Sequence, residues 1–106
     1  MKPNICVIGL GYVGLPLAVE FSKQYKTIGF DINDARISEL RENIDVTEEV
    51  TKLDLEKSSL IYTSDINNIK KSNIYVVTVP TPIDESKKPD LRALMSASKL
   101  VGSVIK

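Results

Sequence analysis

Three glycines near the amino terminus have the spacing that a phosphate-binding turn requires. Gly9, Gly11 and Gly14 form the pattern G-x-G-x-x-G, directly after the apolar run at residues 5–8 and before a stretch with helical periodicity. A strand, a glycine turn and a helix amino terminus together make a cradle for a pyrophosphate. In such a cradle Gly9 allows the tight turn, Gly11 lets the anion approach the backbone, and Gly14 lets the helix pack close to the strand.

The residues that follow these glycines add two further parts of a dinucleotide site. Near Tyr12 and Val13, backbone N–H groups at the start of the helix would point at the anion, at the positive end of the helix dipole. Asp31 lies 22 residues after Gly9, at the end of a predicted second strand. A carboxylate there accepts hydrogen bonds from the two ribose hydroxyls of adenosine and repels a 2′-phosphate, which favours NAD over NADP. The alternatives are a glycine turn without a ligand and an aspartate that caps a loop.

Two more positions could take part in such a site. Arg36 could lie against the adenine or reach the ribose edge, but it could equally be a solvated arginine on a helix surface. Thr81 lies in a proline-rich stretch, V-P-T-P, which leaves the predicted fourth strand at the edge of the sheet where the ligand is expected. Its hydroxyl could bond to the cofactor, or the stretch could serve only to end the strand.

Composition excludes several classes of function. The 106 residues contain 42% hydrophobic and 26% charged residues, and 14 basic residues balance 14 acidic ones, which argues against a nucleic-acid or polybasic membrane surface. No apolar run approaches the ~20 residues of a membrane span. The chain has no His, its acids at residues 45–59 lack metal-ligand spacing, and Cys6 lies within a predicted strand. We therefore expect a cytoplasmic protein with no metal site and no catalytic residue.

The elements alternate as β-α-β-α-β-α-β-α. Strands are predicted at residues 5–8, 27–31, 60–63 and 74–79. The first helix should reach about Gln24. Residues 45–59 should be a solvated excursion, with one or two short amphipathic turns at Val46, Val50 and Leu53 as the alternative. Each of three later helices has a predicted cap and an apolar face. Asn33 or Asp34 caps the helix whose face is Ile37, Leu40 and Ile44, and Ser64 or Asp65 caps the helix whose face is Ile66 and Ile69. Asp90 caps the last helix, whose face is Leu91, Leu94, Ser98, Val101 and Ile105. This order predicts an α/β fold, a Rossmann-like doubly wound parallel sheet with strand order 3-2-1-4.

Several motifs together resemble one family. The motifs are GLGYVGLPLA at residues 9–18, GFDIN at 29–33, VTVPTPID at 77–84 and KPDL at 88–91, with RISEL at 36–40 and TSDI at 63–66. They resemble the UDP-glucose/GDP-mannose dehydrogenase family, and most closely its UDP-N-acetyl-hexosamine 6-dehydrogenase branch, which makes sugar acids for bacterial surface polysaccharides. The resemblance implies NAD-dependent oxidation of a sugar C6 alcohol to a carboxylate by two hydride transfers. It also implies that Val13, Asp31, Arg36 and Thr81 contact NAD.

The same resemblance implies that much of the enzyme lies outside this sequence. In that family the nucleophilic Cys, the base Lys and most UDP-sugar contacts belong to segments that these 106 residues do not contain. We therefore expect residues 1–106 to be the amino-terminal NAD-binding Rossmann domain of a longer dehydrogenase, cut before the next strand, and the parent to be a homo-oligomer that takes a UDP-sugar. The alternatives are a freestanding dinucleotide-binding module without catalysis and another NAD-dependent Rossmann oxidoreductase.

Overall fold

Four parallel strands form the centre of the fold. The computed structural model describes residues 3–46, 48–78 and 91–104, with the side chain of Ala93 left out. The strands are β1 (Asn4–Ile8), β2 (Lys26–Phe30), β3 (Ile61–Thr63) and β4 (Ile74–Val77). They lie in the order β3-β2-β1-β4, with every neighbouring pair parallel, as the sequence predicted.

The helices connect these strands, and two of them begin at a predicted cap. They are α1 (Gly14–Ser22), α2 (Asp34–Arg41), α3 (Lys52–Lys57), a short 3-10 helix (Ile66–Ile69) and α4 (Arg92–Val104). The side chain of Asn33 accepts a hydrogen bond from the Arg36 N–H at 3.2 Å, and Asp65 caps the 3-10 helix in the same way. Pro16 is the third residue of α1, a position whose N–H has no helical acceptor, so it costs the helix little.

Alternate residues of β1 face opposite sides of the sheet, and helices cover both. Ile5 and Val7 pack in a cluster with residues of α1, α2 and α3, whereas Cys6 and Ile8 pack with Ile69 of the 3-10 helix and with α4. The sheet is therefore doubly wound, and its first strand is buried on both faces.

The excursion predicted as solvated is partly structured. Within residues 45–59 the chain forms α3, which begins after the Thr51 cap, and Leu55 of α3 is buried in the core. The side chain of Asp45 is also buried, and it forms an ion pair with Arg36. The prediction for this segment is therefore wrong at these positions, since Leu55, the partly buried Val50 and the ion pair of Asp45 dock it against the rest of the fold.

Two predicted apolar faces also require correction. Ile44 lies beyond the end of α2 and is 45% exposed, because the chain turns at Asn43, whose φ is 62°. Leu91, just before α4, and Leu94 and Ser98 within it are exposed. The described side chains of α4 that are buried are Ala97 and Val104, with Leu100 and the predicted face residue Val101 partly buried beside them.

Several predicted boundaries differ by one or two residues. Helix α1 ends at Ser22, β2 ends at Phe30 and β3 begins at Ile61. The fourth strand ends at Val77 rather than at position 79, and the proposed cap Asp90 and the face residue Ile105 lie outside the described residues. Across the described parts of the chain, no helix has the length and apolar character that a membrane crossing requires.

Candidate dinucleotide-binding site

The turn after β1 depends on glycine at two of its three positions. Gly9 has a φ of 97°, in the left-handed region that side chains disfavour, while its N–H donates to the Phe30 carbonyl at 2.9 Å. A β-carbon at Gly14 would overlap the Gly9 carbonyl oxygen and the Thr78 hydroxyl. Gly9 therefore makes the turn, and Gly14 brings α1 against the end of β1.

Gly11 differs from Gly14, because no contact inside the fold requires it to be glycine. Apart from Gly11 itself and its two chain neighbours, no described residue has an atom within 4 Å of the place where a β-carbon would be. The space in front of the Gly11 backbone is open, and a side chain there would occupy part of it. This cradle fits the pyrophosphate of a dinucleotide, which needs to approach the backbone closely.

The amino terminus of α1 adjoins this open space. In the described structure, no side chain caps the helix at Val13 and its first turn carries no acid. Tyr12 and Val13 are 69% and 66% exposed. Backbone N–H groups at the start of the helix are thus available to an anion, together with the positive end of the helix dipole.

Asp31 is bound to the protein and still has capacity for a ligand. Its Oδ2 accepts a hydrogen bond from the Leu10 N–H at 3.0 Å, and its Oδ1 accepts one from the Asn33 N–H at 2.9 Å. An ionised carboxylate has about four acceptor positions, so about two remain for hydroxyl groups. The two roles that the sequence left open for Asp31, loop cap and ribose acceptor, are therefore compatible.

Arg36 is buried, so its interpretation as a solvated surface arginine is wrong. The residue is only 8% exposed. Its Nε donates to the Leu10 carbonyl at 2.7 Å, and its Nη1 donates to Asp45 Oδ1 at 2.9 Å. Its Nη2 is buried and has no hydrogen-bond partner among the described residues. Two of the three guanidinium nitrogens are thus committed to the protein.

These groups meet at a cleft of about 520 Å³ at the carboxyl ends of the strands. The cleft is lined by the glycine turn, by residues 30–33, by Arg36 and Thr78, and by Ser96, Ala97 and Leu100 of α4. It lies where the strand order reverses, between β1 and β4, which is where ligands bind in open α/β sheets.

Not every predicted site residue lines this cleft. The structure brings Gly9, Gly11, Asp31 and Arg36 together, while Tyr12, Val13 and Gly14 lie at the helix start outside its lining. Thr81 lies outside the described residues.

Sequence reasoning missed three contributors to the site. Thr78 donates from its hydroxyl to the Gly9 carbonyl at 2.7 Å, Leu10 is held at both its N–H and its carbonyl, and Asp45 pairs with Arg36. The position of Thr78 at the end of a strand that neighbours β1 was a usable signal. Asp45 gave none, because it lies nine residues from Arg36 in an irregular segment.

The single thiol is unsuited to act as a nucleophile. Cys6 is fully buried in β1, and desolvation by burial raises its pKa to about 12. Only the thiolate reacts, so this thiol is inert near neutral pH. In the part of the chain that the structure describes, no group of three or more His, Cys, Asp or Glu side chains could hold a metal ion.

Residues 3–106 match the family model for the NAD-binding domain of the UDP-glucose/GDP-mannose dehydrogenases. The chain belongs to this family. Over 104 residues it is 54% identical to the UDP-N-acetyl-D-glucosamine 6-dehydrogenase of Pseudomonas aeruginosa. This alignment covers 97% of the chain and 25% of that protein. Over 105 residues it is 52% identical to Protein CapL of Staphylococcus aureus, in an alignment that covers 99% of this chain and 25% of that protein.

A solved relative shares the fold as well. The structure of the UDP-D-ManNAc dehydrogenase from Pyrococcus horikoshii matches with a TM-score of 0.85 and 31% identity, over 96% of this chain and 26% of that one. The predicted family, the resemblance to UDP-N-acetyl-hexosamine dehydrogenases, the Rossmann-like fold and NAD as the cofactor are thereby confirmed. The chain spans about a quarter of the length of the relatives that it matches.

The contrast between Gly11 and Gly14 gives a matched pair of variants. Gly14→Ala forces a methyl group against the Gly9 backbone, so we expect it to lower the free energy of unfolding by about 1–3 kcal/mol or more. Gly11→Ala adds a methyl group in open space and should change stability by less than about 0.5 kcal/mol. It should nevertheless weaken NADH binding, because the methyl group occupies the cradle. Thermal melting and NADH fluorescence titration measure the two effects, and equal destabilisation by both variants would contradict the assignment.

Proposed function

We propose that residues 1–106 form the NAD-binding domain of a longer nucleotide-sugar 6-dehydrogenase. The parent enzyme would oxidise the C6 alcohol of a UDP-N-acetyl-hexosamine to a carboxylate in two hydride transfers, for surface polysaccharide synthesis. The assignment of the cofactor depends on one observation, the cleft that contains both the open backbone of Gly11 and the carboxylate of Asp31. This carboxylate can accept further hydrogen bonds from a ligand. The substrate part is supported by the matched relatives, which are named UDP-N-acetyl-D-glucosamine 6-dehydrogenase.

In this proposal each residue has a separate task. The turn from Gly9 to Gly14, with the N–H groups near Tyr12 and Val13, binds the pyrophosphate, and Asp31 accepts hydrogen bonds from the ribose hydroxyls. Arg36 forms part of the wall at the adenosine end, and the Thr81 hydroxyl bonds to the nicotinamide side. When bound, NAD supplies the hydride acceptor.

The chemistry on the sugar needs groups that the described residues do not offer. Oxidation of an alcohol requires a base within hydrogen-bond reach of the hydroxyl, and the second oxidation requires an activated thiolate. The chain has no His, the described lining of the cleft contains no Lys, and the one thiol is buried with a raised pKa. The base and the nucleophile therefore belong to the rest of the parent.

We also propose that the parent acts in the cytoplasm as a homo-oligomer. A reducing compartment suits a chain whose single Cys is a buried filler. For the isolated 106-residue chain, self-association is supported by the position of β4 at the edge of the described sheet, where the parent sheet would continue, and by exposed apolar side chains of β4 and α4, Ile74 at 44% and Met95 at 58% exposure.

Self-association can be measured directly. We expect the sedimentation coefficient of the 106-residue chain to rise with concentration, because an unpaired apolar strand edge invites pairing. The variant Ile74→Lys should suppress this rise, whereas Lys26→Arg at the start of β2 should leave it unchanged. A chain that stays monomeric at high concentration would contradict the proposed contact.

Cofactor preference tests the assignment of Asp31. The unmodified chain should bind NADH more tightly than NADPH, and Asp31→Ala should weaken NADH binding by on the order of 1.5–3 kcal/mol, the value of hydrogen bonds to a charged acceptor. Asp34→Ala removes an exposed carboxylate three positions away and serves as the control. Calorimetric titration measures all four affinities. Equal affinity of the unmodified chain for NADH and NADPH would refute the role of Asp31.

Activity distinguishes this proposal from a freestanding module. The 106-residue chain should bind NADH but produce none from NAD and UDP-N-acetylglucosamine or UDP-N-acetylgalactosamine, whereas the uninterrupted parent should produce it from one of these sugars. Cys6 should resist thiol reagents at neutral pH until the chain is unfolded. NADH formation by the chain alone, abolished in Cys6→Ser, would show that its own thiol reacts. A parent that binds NAD and oxidises no UDP-sugar would favour the freestanding module.

A further inference from the structure

The residue between the first two glycines is held at both of its backbone polar groups. The Leu10 N–H donates to Asp31 Oδ2 at 3.0 Å, and the Leu10 carbonyl accepts from Arg36 Nε at 2.7 Å. The ribose-binding candidate and a guanidinium therefore bind the same loop residue, and both line the same cleft. A cation this close to the ribose end of a dinucleotide site has consequences for which dinucleotide binds.

Asp45 determines where that guanidinium points. Its side chain is fully buried, and its Oδ1 accepts from Arg36 Nη1 at 2.9 Å. Its Oδ2 accepts from the backbone N–H groups of Glu49 and Val50, both at 2.9 Å. Because two backbone groups fix this carboxylate, it holds the guanidinium of Arg36 in the wall of the cleft. Asp45 itself does not line the cleft.

In this fold an arginine near the ribose is the group that accommodates a 2′-phosphate. Arg36 occupies such a place, yet two of its nitrogens are engaged and its charge is balanced by Asp45. We propose that Asp45 is a specificity-determining residue: by holding Arg36 inward, it prevents Arg36 from binding a 2′-phosphate and so excludes NADP(H). This rests on the proposed function of the cleft as an NAD site, and adds to the repulsion from Asp31.

A purely structural role for Asp45 would have a different signature. Loss of a buried ion pair weakens a fold, and a weakened loop would bind NADH and NADPH less well by the same factor. The proposal instead predicts a change in the ratio of the two affinities. The ratio is therefore the quantity to measure.

The principal variant is Asp45→Asn, titrated with NADH and with NADPH. Asparagine keeps an oxygen for the amides of Glu49 and Val50 but removes the charge that holds Arg36. We expect the NADPH-to-NADH affinity ratio to rise about tenfold, the effect of one hydrogen bond between charged groups. The control Asp54→Asn removes an exposed carboxylate of α3 and should shift the ratio by less than about twofold. Adding Arg36→Gln to Asp45→Asn should abolish the gain.

A second comparison covers the case in which Asp45→Asn does not fold. In an Asp31→Asn background, Arg36→Gln should leave the ratio unchanged while Asp45 is present, because Arg36 is already withheld. A fall in the ratio there would show that Arg36 contacts the phosphate, and would overturn the proposal. An unmodified chain that binds neither NADH nor NADPH would overturn the proposed function itself. Binding of NADH with a ratio that Asp45→Asn does not alter would overturn only the role of Asp45.

Discussion

The close approach of α1 to the end of β1 is the constraint on which the rest of the site depends. A side chain at position 14 would overlap the Gly9 carbonyl, so the helix reaches this position only because residue 14 has no β-carbon. The Thr78 hydroxyl bonds to that same carbonyl at 2.7 Å, which ties the end of β4 to the turn as well. One carbonyl oxygen thus fixes a helix and two strands together, and the helix amino terminus lies at the carboxyl edge of the sheet.

The loop that follows this contact has no regular secondary structure, and side chains supply its rigidity. Leu10 is fully buried, with its side chain beside Gly29, and both of its backbone polar groups are bonded to residues of β2–α2, Asp31 and Arg36. The ordering of this loop is achieved during folding and does not have to accompany binding. A preorganised loop loses less conformational freedom when a ligand arrives, and that gives a higher affinity for the same contacts.

Local signals predicted most of this arrangement, and long-range contacts account for what they missed. The strands, the glycine turn and the caps Asn33 and Asp65 depend on patterns within a few residues, and the strand order follows from the alternation of strands and helices. The orientation of Arg36 depends on Asp45, beyond the end of α2, and spacing alone could not reveal it. The apolar residues in and just before α4 form two possible helix faces. The face that contains Ala97 and Val104 packs against the sheet, whereas Leu91 and Leu94 are exposed.

The electrostatics of the cleft follow from these same contacts. Among the described lining residues, the charged side chains are Asp31 and Arg36, and Arg36 is neutralised by its buried partner Asp45. The negative charge of Asp31 therefore dominates at one end of the cleft, while the uncapped start of α1 presents a positive field at the glycine turn. A dinucleotide carries neutral hydroxyl donors at the ribose and negative oxygens at the pyrophosphate. In the proposed site, the two fields match these two groups only when the 2′ position bears no phosphate, so the proposed cofactor orientation and cofactor choice have a common electrostatic origin.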